Sequence, residues 1–176
     1  MIASSERDDS PAGAGLPSPA AGLLEAAGFN AVGILSLADY DARVPPTWRA
    51  SRLCAGARSA VILACGGAGF YRAARAAHEA ADPQHPLDSF ARRVLDEAAQ
   101  ALGGQATRGR VLHYFDRVGA GGELDAAGDF VDLVALAAAS GLGVTSRLRL
   151  LLHPQFGPWL SIRALVLTPL ELAATP

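Results

Sequence analysis

The chain has no lysine: all fifteen of its basic residues are arginine. That absence excludes a Schiff-base lysine, a phosphate-loop lysine and a lysine general base. Cysteine is nearly as scarce, with only Cys54 and Cys65 in 176 residues. Two thiols do not complete a four-iron cluster, which is held by four thiolates or near-equivalents. Reduced thiols in a cytoplasmic setting are the simpler expectation than a disulfide. No apolar run approaches the ~20 residues of a membrane span. The first residues, MIASSERDDSPAGAGLPSPAAG, lack the basic start and apolar core of a secretory signal. Net charge is only −2, so nothing advertises a polyanion partner such as nucleic acid.

Several chemical motifs are missing as well. There is no nucleophile elbow, HExxH, EF-hand loop or CxxC. Gly66, Gly67 and Gly69 follow an apolar stretch, but Arg72 stands where the last glycine of a dinucleotide fingerprint belongs. A plain strand-to-helix turn is the first reading of these glycines, a phosphate cradle the second. A backbone that closely approaches a flat ring is the third. The four histidines, at 78, 85, 113 and 153, are too scattered for a zinc site, and no metal is expected.

What is present is a globular composition, 51% hydrophobic and 18% charged. The length suits one domain. Residues 1–18 read as a flexible tail rich in Ser, Pro, Gly and Asp, and 19–176 as the domain. Ser18 and Pro19 open a short helix with Ser18 as its cap, Gly28 ends it, and residues 29–35 form a strand. A connection over 39–53 contains Pro45, Pro46 and Trp48. Residues 56–65, GARSAVILAC, make the clearest strand. Helical patterns follow over 70–80 and 87–102, stopped by Gly103-Gly104, then a strand over 110–115. On that strand His113 and Tyr114 point to opposite faces.

Residues 130–172 organise the rest: FVDLVALAAASGLGVTSRLRLLLHPQFGPWLSIRALVLTPLEL. Residues 130–139 are apolar on nearly every side except Asp132, which predicts a helix enclosed by other elements. Gly141 is its left-handed stop. A leucine-rich strand over 148–152, a turn over 153–158 and an alternating strand from Leu160 to Thr168 follow. Glu123, Asp125, Asp129 and Asp132 cluster before and at the start of the helix, where capping and first-turn roles suit them.

This closing pattern resembles the corrinoid-binding domain of epoxyqueuosine reductases and reductive dehalogenases. In that family a helix ends in (A/S)GLG, and a strand, a His-Pro-x-aromatic-Gly-x-Trp turn and a strand closing in Leu-Thr-x-x-Leu follow. The helix-Gly-Phe-strand opening and the GARSAVILA strand resemble it too. The resemblance implies an α+β, nitroreductase-like fold, a mostly antiparallel sheet flanked by helices. It also implies a chain truncated before the iron–sulfur module. The family's proton-donating Asp falls on Ala127 here, with Phe130 in place of the motif's proline. Asp125 and Asp129 are the stand-ins that a small loop shift would supply. Ring contacts carry over to Gly66, Gly67, Tyr114, Gly141, Leu142, Gly143, His153 and Trp159. His153 has a turn-stabilising role as its alternative, and Trp159 a packing one.

The implied function is a stand-alone cobalamin-binding or cobalamin-processing protein without an iron–sulfur relay, served by an external redox partner. The alternatives are an FMN-binding, nitroreductase-like reductase, as a homodimer, and a cofactor-free scaffold acting through protein contacts.

Overall fold

The computed structural model describes residues 15–77, 85–102 and 109–175. His78, Gly103 and Gly104, most of the N-terminal tail and the predicted break at 82–86 up to residue 84 lie outside the described residues.

The architecture is α+β, built on an antiparallel sheet. Strand β2 (Ser59–Cys65) is buried at every position and lies between β1 (Ala31–Ser36) and β8 (Ser161–Thr168). A fourth strand, β3 (Arg110–His113), pairs with the far side of β8, giving the order β1-β2-β8-β3. Alternation along β2 divides the core in two. Val61, Leu63 and Cys65 face one cluster, Ala60, Ile62 and Ala64 the other. Burial on both faces explains why this segment reads as a continuous apolar run.

On the first face pack α1 (Ser18–Ala26), α3 (Gly69–Ala76) and α4 (Pro86–Ala101). Phe70 of α3 stands between Phe29 and Phe90, with ring centroids 5.3 Å apart on each side and edge-to-face geometry. Helix α1 ends as expected at Gly28, whose φ of +80° lets the Phe29 amide reach back to the Leu24 carbonyl at 2.9 Å. Its start differs from expectation. Pro17 occupies the cap position and no side chain caps the helix, so Ser18 is already helical.

On the second face pack α2 (Leu37–Asp41), α5 (Leu133–Ala139) and the single-turn 3-10 segments Pro46–Trp48 and Ala50–Leu53. The Asp41 carboxylate accepts the amides of Ala50 (2.8 Å) and Ser51 (3.2 Å), which folds the proline-rich connection back over the sheet. Helix α5 comes very close to β1. A Cβ on Gly33 would stand 2.0 Å from the Ser140 hydroxyl and 2.8 Å from Leu142.

Two elements depart from the sequence reading. Helix α5 begins at Leu133 because Asp132 is its cap, accepting the Ala135 amide at 2.9 Å. Asp129 and Phe130 instead form a short strand, β5 (Asp129–Phe130), paired with β4 (Arg117–Val118). The leucine-rich run is likewise not one strand. It is a hairpin of β6 (Val144–Thr145) and β7 (Leu151–Leu152). Ser146 closes its turn, exchanging backbone hydrogen bonds around Leu148, while Arg149 adopts φ +59°.

Replacing Gly33 by Val should therefore destabilise the fold by about 2 kcal/mol or more, since side chain and helix would claim the same space. Urea denaturation of the two proteins would measure the difference.

Candidate functional site

A cleft of about 810 Å3 opens on the second face of the sheet. Its floor is Tyr40, Leu136 and Ile162, contributed by α2, α5 and β8. Phe130, Leu133, Val134, Leu150 and Leu160 supply its apolar lining. Trp48, on the first 3-10 segment, covers part of the mouth and is 52% exposed. The side of α5 that sequence reading places in the core thus faces this space: Leu133 and Val134 are only half-buried. Arg117 lies over the ring of Phe130 at 4.3 Å and holds it at the rim.

Polar groups are few. Asp129, Asp132, Arg49, Arg52 and Tyr114 are among the polar residues that line the cleft. Asp132 is committed twice, to the helix cap and to the Arg149 guanidinium at 3.5 Å. Tyr40 is buried, and its phenol pKa is raised, first by burial and then by the negative charges of Asp132 and Asp41. Tyr114 donates its hydroxyl to both oxygens of Asp88, at 3.0 and 3.1 Å. Its pKa is also raised, by burial and by Asp88, against the opposing charge of Arg163. Arg163 fixes this corner from behind, 3.5 Å from Asp88 and 4.8 Å above the Phe70 ring.

The loop beside the cleft is held by two arginines. Arg110 donates to the carbonyls of Leu53 (2.6 Å) and Gly122, and Arg52 to that of Ala120 at 3.3 Å. Gly122 sits so close that a Cβ would meet the Arg52 carbonyl at 2.4 Å.

Of the residues singled out from sequence, Asp129 and Tyr114 line the cleft. Asp125 does not: its carboxylate turns inward on its own loop and accepts the Ala127 amide at 2.9 Å. Gly66 is clamped by Asn30, which accepts its amide at 2.8 Å and donates to its carbonyl at 3.0 Å. A Cβ on Gly66 would stand 2.3 Å from the Phe156 ring, so a phenylalanine, rather than a ligand, takes up the space there. Gly67 supplies a left-handed turn, and Gly141 ends α5 with φ +80°. Leu142 is buried in the core, and Gly143 packs against the Leu152 carbonyl.

His153 has the turn role. Its Nδ1 accepts the amides of Gln155 (3.1 Å) and Phe156 (3.3 Å), and its ring stacks on Phe156. Trp159 is 84% exposed, outside the lining but between Pro158 and Leu160, which belong to it. Tyr40, Phe130 and Leu150 escaped sequence reading because apolar side chains that line a cleft follow the same pattern as core ones. Only the proline-rich connection beside Trp48 marked the region. The strand reading that set His113 and Tyr114 on opposite faces stops short, because β3 ends at His113: His113 meets Asp96 of α4, and Tyr114, just past the strand, reaches Asp88 of the same helix while also lining the cleft. Among the described residues, no group of three or more His, Cys, Asp or Glu is placed to hold a metal. Nor is any helix there long and apolar enough to cross a membrane.

No family model and no curated protein matches the sequence. Solved structures do match. Epoxyqueuosine reductase from Streptococcus thermophilus aligns over 90% of this chain with a TM-score of 0.54 and 10% identity. A reductive dehalogenase, described in connection with B12-dependent dehalogenation, aligns over 94% with a TM-score of 0.50 and 17% identity. The chain shares their fold. It spans 47% of that epoxyqueuosine reductase and 22% of that dehalogenase. A second epoxyqueuosine reductase structure, bound to a tRNA-Tyr stem loop carrying the epoxyqueuosine modification, gives a TM-score of 0.50 at 12% identity. At such identities the likeness is one of fold.

Buried His113 and half-buried His153 both have pKa values below the ordinary 6.5, chiefly because burial disfavours the charged ring. Below about pH 6.5 the unfolded chain takes up protons that folded His113 and His153 refuse. Stability should therefore fall as pH drops from there toward their folded values. Replacing both residues by Gln should flatten that slope in denaturation measured across pH. NMR titration should place each native imidazole below 6.5.

Proposed function

We propose that this chain is a corrinoid-binding or corrinoid-processing protein with a nitroreductase-like fold, holding a cobalamin-type ring in the cleft. The observation that carries this reading is the cleft itself, about 810 Å3 with aromatic and aliphatic walls, in a fold shared with epoxyqueuosine reductase and reductive dehalogenase. Its volume lies in the upper part of the range for small-molecule pockets, roughly 300–1,000 Å3, and its open mouth lets a larger ligand project.

The lining suits a flat ring held by its faces. Phe130, Leu133, Leu150 and Leu160 give it apolar surface, and Arg49, Arg52, Asp129 and Tyr114 would offer polar partners to peripheral amides. Among the described residues, no imidazole or thiolate lines the cleft, so these lining residues supply no nitrogen or sulfur ligand to cobalt. When bound, a corrinoid supplies a metal that changes oxidation state and exchanges its axial ligands. The chain's own part is to exclude water with the apolar walls and to keep protons nearby. Tyr40 retains its phenolic proton at neutral pH, since burial and two carboxylates raise its pKa. Asp129 offers a carboxyl group at the rim. With two cysteines in the chain, electrons come in this reading from an outside donor. Cys54 and Cys65 are not joined in a disulfide, which agrees with a cytoplasmic setting.

Separate titrations of the protein with hydroxocobalamin and with FMN test the proposal. Saturable binding of hydroxocobalamin at micromolar concentration, about −8 kcal/mol, with shifted corrin absorbance is the expected result. Saturation by FMN alone would replace it with a flavin reductase, and no binding of either with a cofactor-free scaffold. Replacing Phe130 by Ala should weaken corrinoid binding about tenfold through lost ring contact. Replacing Asp129 by Asn should leave binding intact and slow reductive removal of the upper cobalt ligand, followed spectroscopically with an added reductant, by about a hundredfold.

A further inference from the structure

From Leu133 to Leu170 the chain has no Asp or Glu, and its only basic residues other than His153 are Arg147, Arg149 and Arg163. Arg163 is largely buried and paired with Asp88, so the exposed charge of this stretch is that of two arginines. Both stand in the turn between β6 and β7, on either side of Leu148, which is 80% exposed. Arg149 reaches Asp132 at 3.5 Å, yet its side chain stays 78% exposed. Arg147 has no ion pair among the described residues. The hairpin behind this tip has an inner and an outer face. Leu151 is buried in the second core cluster, whereas Val144 and Leu152, paired across the two strands, turn outward and are exposed.

The hairpin thus presents Val144, Leu148, Leu150 and Leu152 with two arginines and no acid. The exposed parts of these four side chains amount to roughly 200–300 Å2, at on the order of 100 Å2 for a whole leucine. That falls well short of the ~800 Å2 that each partner gives to a standard protein interface. A lipid surface demands no such matched area. There each inserted apolar side chain gains on its own by leaving water. Neighbouring arginines lay their stems along the apolar boundary and keep their guanidinium groups among the phosphates. A leucine between two arginines at the tip of a turn has that arrangement. The sign of the charge selects anionic lipid, since such a surface attracts each cation and nothing acidic on the hairpin opposes it. Farther along, Trp159 is 84% exposed beside Pro158, which lines the cleft together with Leu150. Tryptophan is a side chain that settles at the level of lipid headgroups.

From this we infer that the β6–β7 hairpin docks the chain on an anionic lipid surface, with Leu148 inserted below the headgroups and Arg147 and Arg149 on the phosphates. The contact is that of a turn with a surface. Leu150 belongs to this turn and also to the lining of the cleft, so docking brings the cleft up to the lipid boundary. The inference is independent of what the cleft holds.

Co-sedimentation of the full chain with lipid vesicles tests it, using phosphatidylcholine alone and phosphatidylcholine with about one third phosphatidylglycerol. The wild-type protein should bind the mixed vesicles about tenfold more tightly than the neutral ones, and added salt should weaken that binding. Leu148→Asp and Arg147→Glu should each weaken binding to the mixed vesicles about tenfold. Both residues are exposed, so circular dichroism and thermal melting should match the wild type. Tyr71→Asp, on α3 across the sheet, should bind as the wild type does. No binding to the mixed vesicles would overturn the inference, as would equal binding to both kinds. So would binding that ignores the hairpin substitutions or falls equally with Tyr71→Asp. A wild-type oligomer, seen without lipid by sedimentation velocity and dissolved by Leu148→Asp, would make the tip a contact between proteins and overturn it too.

Discussion

The structure depends on one strand that sees no solvent. Every residue of β2 is buried, and its backbone is paired on both edges, to β1 and to β8. A polar backbone can be enclosed this completely only if its amides and carbonyls are satisfied within the sheet. Once they are, the side chains can serve two cores at once. Val61 and Leu63 anchor the three helices on one side, and Ile62 anchors α5 and the cleft floor on the other. The helical side carries the larger share of the buried aromatic and aliphatic side chains, with a smaller recess of about 410 Å3 between α4 and the β3–β8 edge. The other side is only partly filled, and what it leaves unfilled is the cleft.

That division assigns different work to the polar residues. On the packed side, polar groups are rare and spent on alignment: Asn30 on Gly66, Ser59 on the Leu172 amide, Thr168 on the Leu170 amide. Around the cleft, arginines and aspartates take over. Asp41 ties down the proline-rich connection, Arg110 the glycine loop, and Asp132 both the start of α5 and the hairpin. The cleft is framed by charge-assisted hydrogen bonds and walled by apolar side chains. Polar ties hold an opening where apolar packing alone would close it.

How much of this could be read from the sequence follows from how local each signal is. The β2 run, the spacing of Phe90, Val94, Leu95 and Ala98, and the glycine stops at 28 and 141 are local patterns, and each element stands where its pattern placed it. The start of α5 moved because a single aspartate competes with an apolar pattern, and the cap prevails over periodicity. The leucine-rich run became part of a hairpin because Ser146 and Arg149 close a turn at its start, a signal weaker than four leucines in five residues. The site was least legible. Tyr114 and Asp129 came from resemblance, and both line the cleft. Tyr40, Trp48 and Leu150 meet there only through contacts between residues far apart in the chain, which no window of sequence contains. A leucine facing a cleft and a leucine facing the core have the same neighbours in sequence.

The last described residue has a consequence for solubility. Thr175 lies along the outer edge of β1: its amide reaches the Ile34 carbonyl at 3.0 Å, and its hydroxyl accepts the Ile34 amide at 3.1 Å. The same hydroxyl also donates to the Ser140 carbonyl. A strand edge with free backbone groups is a template for growth by foreign chains. Here one threonine occupies that template at its midpoint and staples it to the end of α5. Runaway cross-strand addition along β1 is thereby discouraged, and encounters between molecules are left to side chains.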